Sequence, residues 1–232
     1  MELRLAWRYF AMSKLMNTQV RPTIEEQVIS EVKHDKVYEK ITDPVFITDV
    51  GFVTLTLDDG PSTHTESILD ILAQKNARAI FFMLGENVKK YPAVTRKVIE
   101  QGHVIGNHSY SHPYLTKISV EDARKQLEDT SKLIADTTGV LPPYFRPPYG
   151  AFNESTILVA TQLNMKVVMW SADPRDYSFN TGYSVFNASN PLLESRNILL
   201  LHDLKEATVD ALPRIIDAIR EKNLQTTVQY EH

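Results

Sequence analysis

The chain has 232 residues, enough for one large α/β or β domain with a full hydrophobic core, or for two small domains. With 43% hydrophobic residues, 23% charged residues and a formal net charge of -4, the composition excludes a mostly disordered or membrane-embedded chain and lacks the basic excess of a general nucleic-acid binder. There is no cysteine, so thiolate nucleophiles, thiolate metal ligands and disulfides are absent, and any metal must sit on His, Asp or Glu.

Met1 to Met16 is rich in Leu, Trp, Tyr, Phe and Met, but Glu2, Arg4, Arg8 and Lys14 interrupt every apolar run. That pattern is too short and too charged for a transmembrane segment, and it lacks the apolar core and cleavage site of a secretory signal. It reads as a helix packed on the domain, or as an interfacial or partner-binding helix. Arg21 to Asp49 mixes charges with isolated apolar residues, broken by Pro22 and Pro44, and reads as an N-terminal extension.

A sharper pattern follows. Phe52 to Leu57 is a β-branched, apolar run that predicts a strand ending at the turn sequence Asp58-Asp59-Gly60-Pro61. Thr63 to Lys75 has helical spacing, and Ala79 to Met83 is a second strand. A helix opens at Pro92 and runs to Gln101, then Gly102 precedes a strand around Val104 and Ile105. Ser119 to Thr138 is the clearest helix, with a Ser-x-x-Asp start and Gly139 beyond its end. Next come a strand at Tyr144-Phe145, a helix near Asn153 to Leu163 and strands at Lys166 to Trp170 and Asn197 to Leu201. A helix at Ala207 to Glu221 and a strand at Leu224 to Val228 close the chain. Alternating strands and helices imply a mainly parallel sheet covered by helices, and about six to eight such units suit a closed or nearly closed barrel.

The polar clusters mostly follow the carboxyl ends of strands, where barrel active sites are built. Side chains of adjacent strand residues diverge, so Asp58 and Asp59 can separate two tasks, one holding a metal and one reaching a reacting water. The same four residues also make a good turn. His108 and His112 lie four apart in His-Ser-Tyr-Ser-His, and on one turn of helix that spacing would bring both imidazoles to one ion. Surface or capping histidines are the alternative. His103, beside Gly102, reads as a structural histidine. Arg146 precedes Pro147-Pro148-Tyr149-Gly150 and could form a bidentate pair with a carboxylate such as Asp58, or be a surface arginine on a rigid loop. Trp170-Ser171-Ala172-Asp173-Pro174-Arg175-Asp176-Tyr177 and His202-Asp203 end two further strands. A histidine there can give a proton to a leaving group once a carboxylate fixes its tautomer, although a core or ion-paired histidine is the simpler reading.

Taken in order, Thr56-Leu57-Asp58-Asp59-Gly60-Pro61, the His108/His112 pair, Arg146-Pro147-Pro148-Tyr149-Gly150, Asp173-x-x-Asp176-Tyr177 and Leu199-Leu200-Leu201-His202-Asp203 resemble the five motifs of the polysaccharide deacetylases of carbohydrate esterase family 4. The resemblance spans about Val50 to Leu224. It implies an α/β fold, a distorted and often incomplete (β/α) barrel of about 7–8 strands, with residues 1–49 as an N-terminal extension packed on a catalytic domain at 50–232. It also implies removal of N-acetyl or O-acetyl groups from a glycan polymer, commonly with Zn²⁺, Co²⁺ being another divalent candidate.

By the same resemblance, Asp58 is the catalytic base, Asp59, His108 and His112 are the metal ligands, and Arg146 positions Asp58. The Tyr149 N–H helps hold the oxyanion, His202 is the catalytic acid oriented by Asp176, and Leu200 lines the pocket for the acetyl methyl. Leu57 stands where many relatives have Phe, and Tyr177 where many have Trp, which alters a wall of the sugar site. Tyr149, Trp170 and Tyr177 offer flat apolar faces suited to a pyranose ring, though aromatics are also ordinary core. The expected activity is N-deacetylation of N-acetylglucosamine residues in peptidoglycan. Chitin or chitooligosaccharide deacetylation, acetylxylan esterase activity, a urea-type amide substrate and a non-catalytic glycan-binding pseudoenzyme stand as alternatives. The expected location, inferred from substrate, is the cell envelope or outside the cell.

Overall fold

A computed structural model describes residues 43–229. Strands and helices alternate along them in the order β1 (Phe52–Gly60), α1 (Thr65–Gln74), β2 (Ala79–Met83), α2 (Gly85–Lys90), α3 (Pro92–Glu100), β3 (Val104–Asn107), α4 (Val120–Thr138), β4 (Tyr144–Phe145), α5 (Glu154–Gln162), β5 (Lys166–Val167), α6 (Gly182–Ser189), β6 (Ile198–His202), α7 (Glu206–Glu221) and β7 (Gln225–Thr226). All strand pairs are parallel, in the order β5-β4-β3-β2-β1-β6, with β7 beside the start of β1. The two ends of this curled sheet meet only through isolated bridges, Ala172 to Leu199 directly and Val45 to Val168 with Ile47 to Asn197 through an intervening segment. The described residues therefore form a distorted, incomplete (β/α) barrel of seven strands, in line with the alternation read in the sequence.

A parallel sheet covered on both faces needs strands that are apolar throughout, and all five residues of β2 are buried. Helices α1 and α7 close one side with Ile68, Leu69, Leu72, Leu212, Ile215 and Ile219. Helix α4 starts where Ser119 Oγ accepts a hydrogen bond from Asp122 N at 3.0 Å and stops at Gly139, whose φ of 76° is left-handed. No helix among the described residues is long and apolar enough to cross a membrane.

Several boundaries differ from the sequence reading, each for a physical reason. β1 continues past Leu57 to Gly60, so both aspartates belong to the strand end. The strand expected over Lys166 to Trp170 pairs with β4 only at Lys166–Val167. Beyond it Met169 N donates to Val45 O, and Val168 pairs with Val45, because the curling sheet leaves a gap that residues 43–48 fill. The last strand shrinks to Gln225–Thr226, flanking only the start of β1. Helices α2 and α6 lacked a sequence signal. The helix expected at Met1 to Met16 and its packing lie outside the described residues.

Register sets the level of the polar rim. Asp58 and His202 are direct partners in the β1–β6 ladder, and Asn107, beside His108, pairs with Phe145, beside Arg146.

Candidate active site

Along β1 the alternation of side chains puts Thr56 and Asp58 on one face, where both meet Arg146. Arg146 Nη1 donates to Asp58 Oδ1 and to Thr56 Oγ1, each at 2.7 Å, while Nε reaches Val168 O at 3.0 Å and Nη2 reaches Met169 O at 2.7 Å. The guanidinium is fully buried and lies 4.1 Å over the Phe82 ring. The bidentate pair expected with Asp58 does not form, because Nε and Nη2 are engaged by the carbonyls of Val168 and Met169, just beyond β5.

The two aspartates also depart from expectation. Strand alternation predicts divergence, but a register slip between Asp58 and Gly60, with Asp59 at φ 71°, turns them toward one point. Asp59 Oδ1 stands 3.4 Å from His108 Nε2 and 3.3 Å from His112 Nε2, and Asp58 Oδ2 stands 3.8 Å from His108 Nε2. Gly60 cannot be replaced without movement, since a Cβ there would fall 2.3 Å from Asp203 Oδ2.

His108 to His112 is not helical. It is a loop with left-handed Ser109 (φ 70°) and His112 (φ 60°) that folds the imidazoles to a centroid separation of 5.0 Å. Contacts from elsewhere hold this shape. Asn107 Oδ1 accepts from Ser109 N, its Nδ2 ties the loop to α4 through Leu127 O, and Gln126 Oε1 on α4 accepts from Tyr110 N and Ser111 N. The first amides of α2, Gly85 N and Glu86 N, donate to Ser109 O and Tyr110 O, and Asn87 Nδ2 donates to Asp59 O. A helix absent from the sequence reading thus fixes both arms of the histidine–aspartate cluster. Gln126 and Asn87 were missed as supporting residues; only the position of Asn107 next to His108 could have flagged a turn.

Asp59, His108 and His112 form a possible metal site, their ligand atoms all within 4.8 Å of one another. His108 Nδ1 lies 2.7 Å from Arg146 O, so that nitrogen carries the proton and Nε2 presents a lone pair toward Asp59. Burial, helped by neighbouring His108, pushes His112 down and favours its neutral form. Asp59 Oδ1 is buried without a hydrogen-bond partner. Acceptors converging on one point suit a cation, and two atoms about 2.1 Å from a tetrahedral ion stand about 3.4 Å apart. His103 lies apart from this cluster, its Nδ1 accepting from Ala79 N at 3.3 Å, and burial pushes it down to about 4.

Across the rim, His202 Nδ1 meets Asp176 Oδ1 at 2.8 Å, and His202 N donates to Asp176 Oδ2 at 2.8 Å. Thr208 Oγ1 also donates to Asp176, which is fully buried. Asp176 is delivered by a turn in which Asp173 Oδ1 accepts from Arg175 N and Arg175 is left-handed, at φ 55°. Asp203 does not serve His202; its Oδ2 accepts from Thr65 Oγ1 at 2.5 Å beneath Gly60.

Burial opposes charge on His202, but the Asp176 hydrogen bond and the Asp176, Asp58 and Asp59 charges outweigh it and push its pKa up to about 9. The folded value lies above the unfolded one, so this stabilisation is complete below about pH 6.5 and disappears as pH rises through about 9. In chelator-treated protein, the NMR titration of His202 is expected to have its midpoint near 9, and Asp176→Asn should return it toward 6.5 and flatten the loss of stability between those pH values. A wild-type midpoint near 6.5 would contradict the arrangement.

The remaining candidates line the surroundings. Tyr149 occupies a left-handed position (φ 60°) in the Pro148–Gly150 turn, whose hydrogen bonds use the Gly150 and Ala151 amides, and its ring meets His112 at 4.4 Å. Tyr177 is exposed and stands edge-on to His202 at 5.4 Å. Leu200 is buried on β6 opposite Thr56. Trp170 is half-buried behind the site, 5.7 Å from the Arg146 guanidinium and so close to Gly150 that a Cβ there would meet it at 2.7 Å.

Comparison with known proteins agrees with this geometry. The profile of a family described as Polysaccharide deacetylase matches residues 47–168. A peptidoglycan-N-acetylglucosamine deacetylase of Bacillus cereus is 38% identical over 178 residues, 73% of this chain and 64% of that protein. A peptidoglycan-N-acetylmuramic acid deacetylase of Bacillus subtilis is 34% identical over 174 residues, 75% of this chain and 37% of that protein. This chain thus spans less than two thirds of the length of either relative. A crystal structure of a peptidoglycan N-acetylglucosamine deacetylase superposes with a TM-score of 0.76 at 34% identity, covering 79% of this chain and 89% of that one.

Proposed function

The chain belongs to the polysaccharide deacetylase family, carbohydrate esterase family 4, and on that premise we propose that it is a metal-dependent deacetylase of N-acetylglucosamine residues in peptidoglycan, releasing acetate and leaving a free amine. The observation that carries this reading is the placing of Asp58 and His202, assigned here as base and acid, as register partners on adjacent strands beside the Asp59–His108–His112 cluster. A glycan-binding pseudoenzyme would not need all five groups in reacting order.

Asp59, His108 and His112 would hold a divalent ion, with zinc suited to a two-nitrogen, one-oxygen donor set. Such an ion supplies Lewis acidity, acidifying water and polarising the acyl oxygen. Asp58, with Oδ1 fixed by Arg146, uses Oδ2 to accept the proton of the attacking water. As the water oxygen bonds to the acyl carbon, the Tyr149 N–H helps stabilise the tetrahedral oxyanion. His202, with Nδ1 committed to Asp176, donates the Nε2 proton to the departing nitrogen as the carbon–nitrogen bond breaks. An amine leaves poorly unless protonated, and a pKa pushed up to about 9 keeps His202 charged at neutral pH, so the proton is there to give. Leu200 and the aromatics Tyr149, Tyr177 and Trp170 are assigned to the acetyl and sugar surroundings. The catalytic unit is assigned to residues 50–232, and its substrate puts it in the cell envelope or outside the cell.

The test is acetate release from peptidoglycan and from N-acetylglucosamine oligomers, using chelator-stripped protein with and without Zn²⁺. Zinc is expected to restore release by at least about a hundredfold, and Asp59→Asn to lose both zinc binding and release. Folded, zinc-loaded protein that releases no acetate from either polymer would overturn the proposal.

A further inference from the structure

Beside the metal cluster, a short column of side chains projects from the rim. Tyr149 meets His112, Tyr114 stacks on Tyr149 at 4.0 Å and 13° from parallel, and Lys117 Nζ lies 4.1 Å over the Tyr114 ring. The column is built into the fold. Lys117 N donates to Tyr114 O in the Leu115–Lys117 turn, which stacks position 117 above 114, and buried Leu115 pins that turn to the core beside Ala123 and Leu127. Tyr114 and Tyr149 are 40% and 55% exposed, high for aromatic side chains in mutual contact. Among the described residues no carboxylate lies within ion-pair distance of Lys117, and of the lysines without an acidic partner it is the one whose ring contact continues through Tyr149 to His112 of the metal cluster. A cation held by an aromatic face without a counter-ion is poised to meet an anion from outside the chain.

We propose that Lys117 is a substrate-selecting residue that pairs with a carboxylate on the glycan near the acetylated sugar, favouring anionic polymers over neutral ones. This rests on reading the site as a glycan deacetylase. In peptidoglycan the carboxylate comes from the lactyl group of a peptide-free muramoyl residue or from a stem peptide. Lys117→Met keeps the apolar stem on Tyr114 and removes only the charge, whereas Lys117→Arg keeps the charge.

The experiment compares kcat/KM of zinc-loaded wild type, Lys117→Met and Lys117→Arg on neutral N-acetylglucosamine oligomers, peptide-free muramoyl oligomers and peptide-bearing fragments. An exposed pair implies a modest effect. Lys117→Met is expected to lower the anionic-to-neutral ratio about three- to fivefold through KM with kcat retained, and Lys117→Arg to keep it. About 0.5 M salt should lower the wild-type ratio similarly, since it screens exposed charges within a few ångströms. The anionic substrate that loses preference identifies the carboxylate. An unchanged ratio on both anionic substrates, or an equal loss of kcat on all three, would overturn the proposal. Wild type that releases acetate from none of them would instead overturn the glycan-deacetylase reading beneath it.

Discussion

Asp58→Asn is expected to lower kcat for acetate release by about a thousandfold while zinc titration still shows one site of nearly unchanged affinity. The substitution is isosteric, so the amide oxygen can still accept from Arg146 Nη1, and the Asp59–His108–His112 cluster keeps all its atoms. What disappears is the only carboxylate of the described rim that combines a fixed Oδ1 with an Oδ2 on the His108 side. Asparagine cannot take a proton from water at that position. The alternative role for Asp58 is as a counter-ion for buried Arg146 alone. That role predicts lower stability but kcat within about tenfold of wild type for the folded fraction, and such a result would remove Asp58 as the base.

The second large effect falls on stability. Arg146→Met is expected to cost about 3–5 kcal/mol in denaturant unfolding of chelator-treated protein, a fall in Tm of about 10–15 °C for a domain of this size. The guanidinium is the largest fully buried side chain of the described residues. Its removal leaves the Asp58 charge, Thr56 Oγ1, Val168 O and Met169 O without the donor each now has. Methionine fills much of the volume against Phe82, so the cost measures lost polar partners more than a cavity. Combining it with Asp58→Asn should cost less than the two singles added, because the stranded charge is then absent. Strict additivity would mean that the pair does not interact.

How much of this was legible in the chain depends on whether its cause is local. Helix α4 announced itself through Ser119, Asp122 and Gly139 because capping is settled within a few residues. The strand Ala79 to Met83 was read to the residue because a strand buried on both faces must be an apolar run. The polar clusters were found at strand ends for the same reason, since charge cannot continue into such strands. By contrast α2, Gly-Glu-Asn-Val-Lys-Lys, has six residues and little apolar pattern, and it forms because its first amides find Ser109 O and Tyr110 O.

Backbone conformation shows the division most plainly. Among the described residues nine non-glycine positions have positive φ, and Asn76, Asn164 and Asn223 are the type that tolerates it, at helix ends where a sequence reader expects them. Asp59, Ser109, His112, Tyr149 and Arg175 take the same strained conformation around the site, at a cost of about 1–3 kcal/mol each. Two of these turns are held by near neighbours, Ser109 by Asn107 and Arg175 by Asp173, while Asn87 and Gln126 reach the Asp59 and His108–His112 turns from separate helices. The order of the motifs and the alternating architecture were therefore legible in the sequence, since both follow from residue type and spacing, whereas the roles expected of the polar residues came from the resemblance those motifs carry. The convergence of Asp58 with Asp59 and the non-helical closure of His108 on His112 were decided by tertiary structure, because Asn87 and Gln126 must reach these turns from separate helices to hold them.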